Sequence, residues 1–167
     1  IFRQLPAYPL GIIDSQPSQI SDLTQKVLID VLQDAELQIP LTETGVVIGS
    51  SRGCQATWEN LSSQMYNHQS NNLDFDWLQT LPHQPAIITG NYLQTTGPVL
   101  APMAACATGI WALARGYELI KTGRCERVIA GAVETPISPL TLAAFAQMGA
   151  LATTGCYPFD RSREGLV

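Results

Sequence analysis

Val99-Leu100-Ala101-Pro102-Met103-Ala104-Ala105-Cys106-Ala107-Thr108-Gly109-Ile110-Trp111 reads as a strand that runs into a helix through a cysteine. Val99 to Ala105 supply the apolar run. Ile110, Leu113, Ala114, Tyr117 and Ile120 then recur at helical spacing, and Gly123 falls where a C-terminal cap glycine belongs. Pro98 and Pro102 cannot donate ladder hydrogen bonds, so this strand is predicted at a sheet edge. A thiol at the junction meets the unpaired N–H groups and positive dipole end of the helix, which favour the thiolate. Ala104, Ala105, Ala107 and Gly109 leave room around it. Cys106 is therefore a candidate nucleophile. The other common fate of a free cysteine is that of a small buried hydrophobe, and these residues by themselves leave both uses open.

The flanking segments extend the strand–helix pattern. Thr44-Gly45-Val46-Val47-Ile48-Gly49-Ser50-Ser51 is a short apolar run bounded by glycines, as expected of a strand covered on both faces. The turn Ser50-Ser51-Arg52-Gly53 feeds a helical stretch from about Gln55 to Met65, and its glycines lack the spacing of the common phosphate loops. Before it, Ile20, Leu23, Val27, Val31 and Ala35 predict an amphipathic helix with Ser18 or Ser21 as its cap and Pro40 beyond its end. Ile1 to Pro17 reads as an extended lead-in. The Asn- and Gln-rich segment Tyr66 to Pro85 reads as a surface excursion, and a short helical run follows from Ala86. Arg127 to Val133 predicts another buried strand, Leu140 to Met148 a further helix, and Glu164 to Val167 the start of a last strand. Successive strand–helix–strand units imply right-handed crossovers and an α/β fold, a parallel or mixed sheet with helices on both faces.

Composition narrows the function classes. The chain has 167 residues, 46% apolar and 14% charged, with a net charge of −5. Such a chain can bury a substantial core. The acidic balance and the lack of any basic run argue against nucleic acid as a partner. No apolar stretch approaches membrane-spanning length, and the first residues have no signal-peptide layout, so no membrane partner is expected and the cytoplasm is the expected location. Cys54, Cys106, Cys125 and Cys156 are widely spaced, which favours reduced thiols over a disulfide framework or a metal site. Cys54 and Cys125 read as structural, and Cys156 has no evident base beside it. His68 and His83 fall in or near the polar excursion, where a histidine is ordinarily solvated.

Several blocks together carry a resemblance: Met103-Ala104-Ala105-Cys106-Ala107-Thr108-Gly109, Val128-Ile129-Ala130-Gly131-Ala132-Val133-Glu134, Ile137-Ser138-Pro139-Leu140, Phe145, Met148-Gly149-Ala150-Leu151 and Tyr157 to Val167. In order, spacing and content the chain from about Ser18 onward resembles the β-ketoacyl-acyl-carrier-protein synthases of the type II fatty-acid elongating class. It departs from them in having Gly131-Ala132-Val133-Glu134 for the usual Gly-Gly-Ala-Glu, and Ile137-Ser138-Pro139 for the usual Ile-Thr-Pro.

The resemblance implies a thiolase-like fold, of which residues 1–167 are the N-terminal half; the first family strand would precede Ile1 and the C-terminal half would follow Val167. It implies that Cys106 takes an acyl chain from acyl carrier protein as a thioester, and that its backbone N–H serves in an oxyanion hole. Malonyl-carrier protein would then lose carbon dioxide and its carbanion would attack that thioester. Ile137, Ser138, Phe145 and Met148 would lie near the acyl tunnel. The family's two active-site histidines come from motifs downstream of the Pro-Phe-Asp block, so the fragment alone is expected to be inactive. No metal or organic cofactor is implied, and pairing of the strand before Cys106 with its copy implies a homodimer. A polyketide or glycolipid ketosynthase, or a non-catalytic subunit of the chain-length-factor kind, are the alternative readings.

Overall fold

The computed structural model describes residues 7–13, 18–67 and 75–167. Its elements are α1 (Ile20–Asp34), β1 (Gly45–Gly49), α2 (Gln55–Tyr66), a 3₁₀ helix (Phe75–Thr80), α3 (Gln84–Leu93), β2 (Val99–Leu100), a 3₁₀ turn (Ala105–Ala107), α4 (Thr108–Lys121), β3 (Val128–Ala132) and α5 (Pro139–Gln147). The three strands form one parallel sheet in the order β2-β1-β3, with Val46 opposite Val99 and Ile129. Strand β1 is therefore central, and all five of its residues are buried.

Alternation along β1 sorts the core into two layers. Val46 and Ile48 face Leu28 and Leu32 of α1 and Ala86 and Leu93 of α3, while Val47 faces Ala112 and Leu119 of α4 and Cys125. The expected α/β arrangement with helices on both faces is present. Cys125 has the structural role read for it. Gly116 lets α4 approach β3 closely, since a Cβ there would sit 3.0 Å from the Ala130 methyl. Gly123, with φ of 69°, ends α4 in the left-handed conformation its position predicts.

Four expectations need correction. In α1 the buried stripe is Ile20, Thr24, Leu28 and Leu32, one residue round from the predicted face; Val27 and Val31 instead line an open apolar groove of ≈ 550 Å³ beside β3. Thr24 hides the true stripe because its hydroxyl donates to the Ile20 carbonyl at 2.6 Å and so can be buried. The residue capping α1 is Gln19, which makes no side-chain cap bond, so neither Ser18 nor Ser21 caps it. Strand β2 pairs over two residues only, Val99 and Leu100; Pro102 has no N–H with which to extend the ladder, and the predicted edge position stands. At the other end of the chain, Leu166 makes a single parallel bridge to Leu151 in place of a strand.

Candidate active site

Parallel strands end on one edge of their sheet, and each strand here delivers part of a site to that edge. Beyond β2, Ala101 to Ala104 lead into the 3₁₀ turn, where Cys106 stands just before α4. Ala105 has φ of 47°, in the left-handed region that a Cβ disfavours. Thr108 holds it there. Its Oγ1 donates to the Ala105 carbonyl oxygen at 2.7 Å and accepts from the Ala104 N–H at 3.0 Å, and the residue is only 3% exposed. Cys106 itself is exposed. Among the described residues no acceptor engages its backbone N–H, which leaves that donor available to a developing oxyanion.

The end of β1 supports this turn from below. A Cβ at Gly49 would fall well inside contact distance of the Pro102 carbonyl oxygen and of Thr108 Cγ2, so only glycine fits there. At the end of β3, Glu134 accepts from Ser50 Oγ at 3.3 Å and from the Ser51 N–H, while Ser50 Oγ accepts from the Gly53 N–H at 2.9 Å. These bonds fix the loop that carries Arg52.

Arg52 joins the Cys106 side of the site to α5. Its guanidinium carbon lies 5.2 Å from the centroid of the Phe145 ring, and with Ser51, Gln55, Met103 and Ala105 it lines an open cleft of ≈ 410 Å³. Helix α5 is anchored by Ser138, whose Oγ accepts from the Thr141 N–H at 3.3 Å and donates to Glu59 of α2 at 2.6 Å. The Glu59 carboxylate also accepts from the Leu140 N–H at 3.0 Å and from Gln55 Nε2 at 3.2 Å.

The residues singled out in the sequence are distributed accordingly. Phe145 lies under Arg52, beside the cleft that Ala105 helps to line. Ser138 is 2% exposed and caps α5; Met148 follows the end of that helix and is 72% exposed. Ile137 lines a separate cavity of ≈ 110 Å³ with Ile12, Ile13, Leu23 and Val167 among its other walls. His83 caps the start of α3, whose packing partners are α1, β1 and β2; His68 lies outside the described residues. Cys54 precedes α2, where burial pushes its thiol pKa up, and Cys156 is exposed. Among the described residues no group of His, Cys, Asp and Glu is gathered that could hold a metal. In the sequence Arg52 reads as a turn residue; its signal is the position in the loop that follows β1, the strand parallel to β2.

Comparison with known proteins gives this arrangement a family. The family described as "Beta-ketoacyl synthase, N-terminal domain" matches residues 17–167. The 3-oxoacyl-[acyl-carrier-protein] synthase 2 of Mycobacterium tuberculosis is 36% identical over 94 residues, covering 52% of this chain and 22% of that protein. The protein of the same name from Staphylococcus aureus is 29% identical over 170 residues, covering 93% of this chain and 42% of its own length. The chain thus spans less than half the length of these relatives. Among solved structures, a Beta-ketoacyl synthase from Burkholderia phymatum STM815 superposes with a TM-score of 0.74 at 23% identity, covering 95% of this chain and 43% of that one. A type II PKS acyl-carrier protein in complex with its ketosynthase gives a TM-score of 0.76 at 23% identity, with 93% and 42% covered. These structures share the thiolase-like fold. On the match over residues 17–167, the chain belongs to the beta-ketoacyl synthase family, as its N-terminal domain.

Proposed function

We propose that Cys106 is the acyl-accepting nucleophile of a 3-oxoacyl-carrier-protein synthase, and that residues 1–167 form the N-terminal half of its catalytic domain. The observation that carries this reading is the exposed cysteine in a left-handed turn ahead of α4, held by Thr108, in a chain that matches the family. In the first step the Cys106 thiolate attacks the carbonyl carbon of an acyl thioester on acyl carrier protein. The new bond joins Sγ to that carbon, the carrier's sulfur–carbon bond breaks, and the carrier leaves as a thiol with a proton from solvent. The Cys106 N–H faces the oxyanion. In the second step malonyl-carrier protein loses carbon dioxide, its carbanion bonds to the acyl carbon, and the thiolate is released.

The residues that assist decarboxylation belong, in this reading, to the remainder of the synthase. The outward face of α4 supports that division: Ile110 is 74% exposed and Tyr117 64%, and Trp111, Leu113 and Ile120 are exposed with them. Phe145 and Met148 flank the acyl path, and Ser138 positions α5. Strand β2 offers its free edge to a second copy, which favours a homodimer. Among the described residues no helix is long and apolar enough to cross a membrane, which fits a cytoplasmic enzyme.

The test supplies the full-length protein with acyl- and malonyl-carrier protein. Release of carbon dioxide with a 3-oxoacyl-carrier product is the expected result. Absence of both product and acylated Cys106 would instead identify a non-catalytic subunit.

A further inference from the structure

We infer that Arg52 selects the acyl group: its guanidinium favours a chain carrying a keto or hydroxyl oxygen over a plain alkyl chain of the same length. This rests on the reading of Cys106 as the acyl-accepting nucleophile. The inference starts from an unmatched set of donors. Arg52 is half-buried, and among the described residues neither a hydrogen-bond acceptor nor a carboxylate meets its guanidinium. The Phe145 ring stabilises the positive charge but accepts none of the in-plane N–H bonds that make a guanidinium a fork of donors. Two neighbouring donors of the cleft are already engaged: the Ser51 N–H binds Glu134 and a Gln55 amide N–H binds Glu59.

The cleft opens beside Ala105, the residue that precedes the nucleophile. A plain alkyl chain laid there would strip water from the guanidinium and replace it with nothing. An oxygen on the chain would accept from Arg52, a charge-assisted bond of the stronger kind. The apolar part of the wall, Met103 and Ala105, takes the rest of the chain. Selection then operates when acyl groups compete for Cys106.

The experiment uses the full-length protein and medium-chain acyl-carrier thioesters of one length, either plain or bearing a keto or hydroxyl group at successive carbons. Intact-protein mass spectrometry follows acylation of Cys106. The wild type is expected to take at least one oxygenated chain about tenfold faster than the plain one, as a hydrogen bond to a charged group warrants. Arg52→Leu should speed the plain chain and slow the oxygenated one, and Arg52→Gln, which keeps a donor without the charge, should fall between. Equal wild-type rates would overturn the inference, as would variants that slow every chain by one factor. Variants that take up acyl chains normally but slow only the step with malonyl-carrier protein would assign the cation to the extender and overturn it too. If neither variant folds, as judged by thermal melting, Arg52 is a structural residue and the inference falls. Failure of every thioester to acylate wild-type Cys106 would overturn the underlying reading of the nucleophile itself.

Discussion

The Cγ2 methyl of Thr108 occupies the space that a side chain at Gly49 would need. Strand β1 and the turn bearing Cys106 are thereby locked in one relative position. Gly49→Ala must push the Pro102–Thr108 segment outward, and overpacking of this kind costs about 1–3 kcal/mol. Thermal melting should register the loss. Alkylation of Cys106 by iodoacetamide should change in rate with it, because the turn moves as a unit.

Thr108 makes a second, separable contribution through its hydroxyl. Thr108→Val retains the shape but leaves the Ala104 N–H and Ala105 carbonyl without their partner, a loss of about 1 kcal/mol for part-buried bonds. Thr108→Ser keeps both bonds and should restore most of that stability. Comparing the two by denaturant unfolding separates the hydroxyl from the methyl.

Glu59 ties α2 to the first turn of α5. Its removal in Glu59→Ala frees the Ser138 hydroxyl, the Leu140 N–H and the Gln55 amide at once. A destabilisation of about 1–3 kcal/mol is expected from donors left unsatisfied near a buried cap. Hydrogen exchange at Leu140 and Thr141 should accelerate far more than at β1.

Glu164 provides a pH-dependent clamp. Its carboxylate accepts from the hydroxyls of Thr154 and Thr153, both at 2.7 Å, and from the N–H groups of both residues. Led by the Thr154 and Thr153 hydroxyls, these bonds hold its pKa down from 4.5 to about 2. A carboxylate whose pKa is lower in the folded state stabilises fully above its unfolded pKa. That contribution falls away as pH drops from about 4.5 through about 2. Amide exchange at Thr153 and Thr154 should remain slow down to the bottom of that window. In Glu164→Gln the same amides should exchange faster at neutral pH and lose the acid-dependent step.

Local pattern revealed the parts of the fold that obey local rules. The glycine-bounded run Gly45–Gly49, the proline-marked edge strand and the Gly123 cap each follow from a neighbour's sterics or hydrogen bonding. The face of α1 escapes the apolar pattern because Thr24 satisfies its hydroxyl within the helix and packs as an apolar residue would. At the site, the small residues around Cys106 mark it as the candidate nucleophile, whereas its supports lie beyond any local pattern. Glu59 and Ser138 stand 79 positions apart, and Ser51 and Glu134 stand 83 apart, so no periodicity links them. Arg52 was hidden in the same way: its meaning depends on Phe145, a partner supplied by a distant helix.

The most direct test of the account is the mass of Cys106 after exposure of the full-length protein to acyl-carrier protein. The account predicts a single acyl adduct on the tryptic peptide containing Cys106, released by hydroxylamine and absent in Cys106→Ala. An unmodified Cys106, or an adduct that persists in Cys106→Ala, would contradict it.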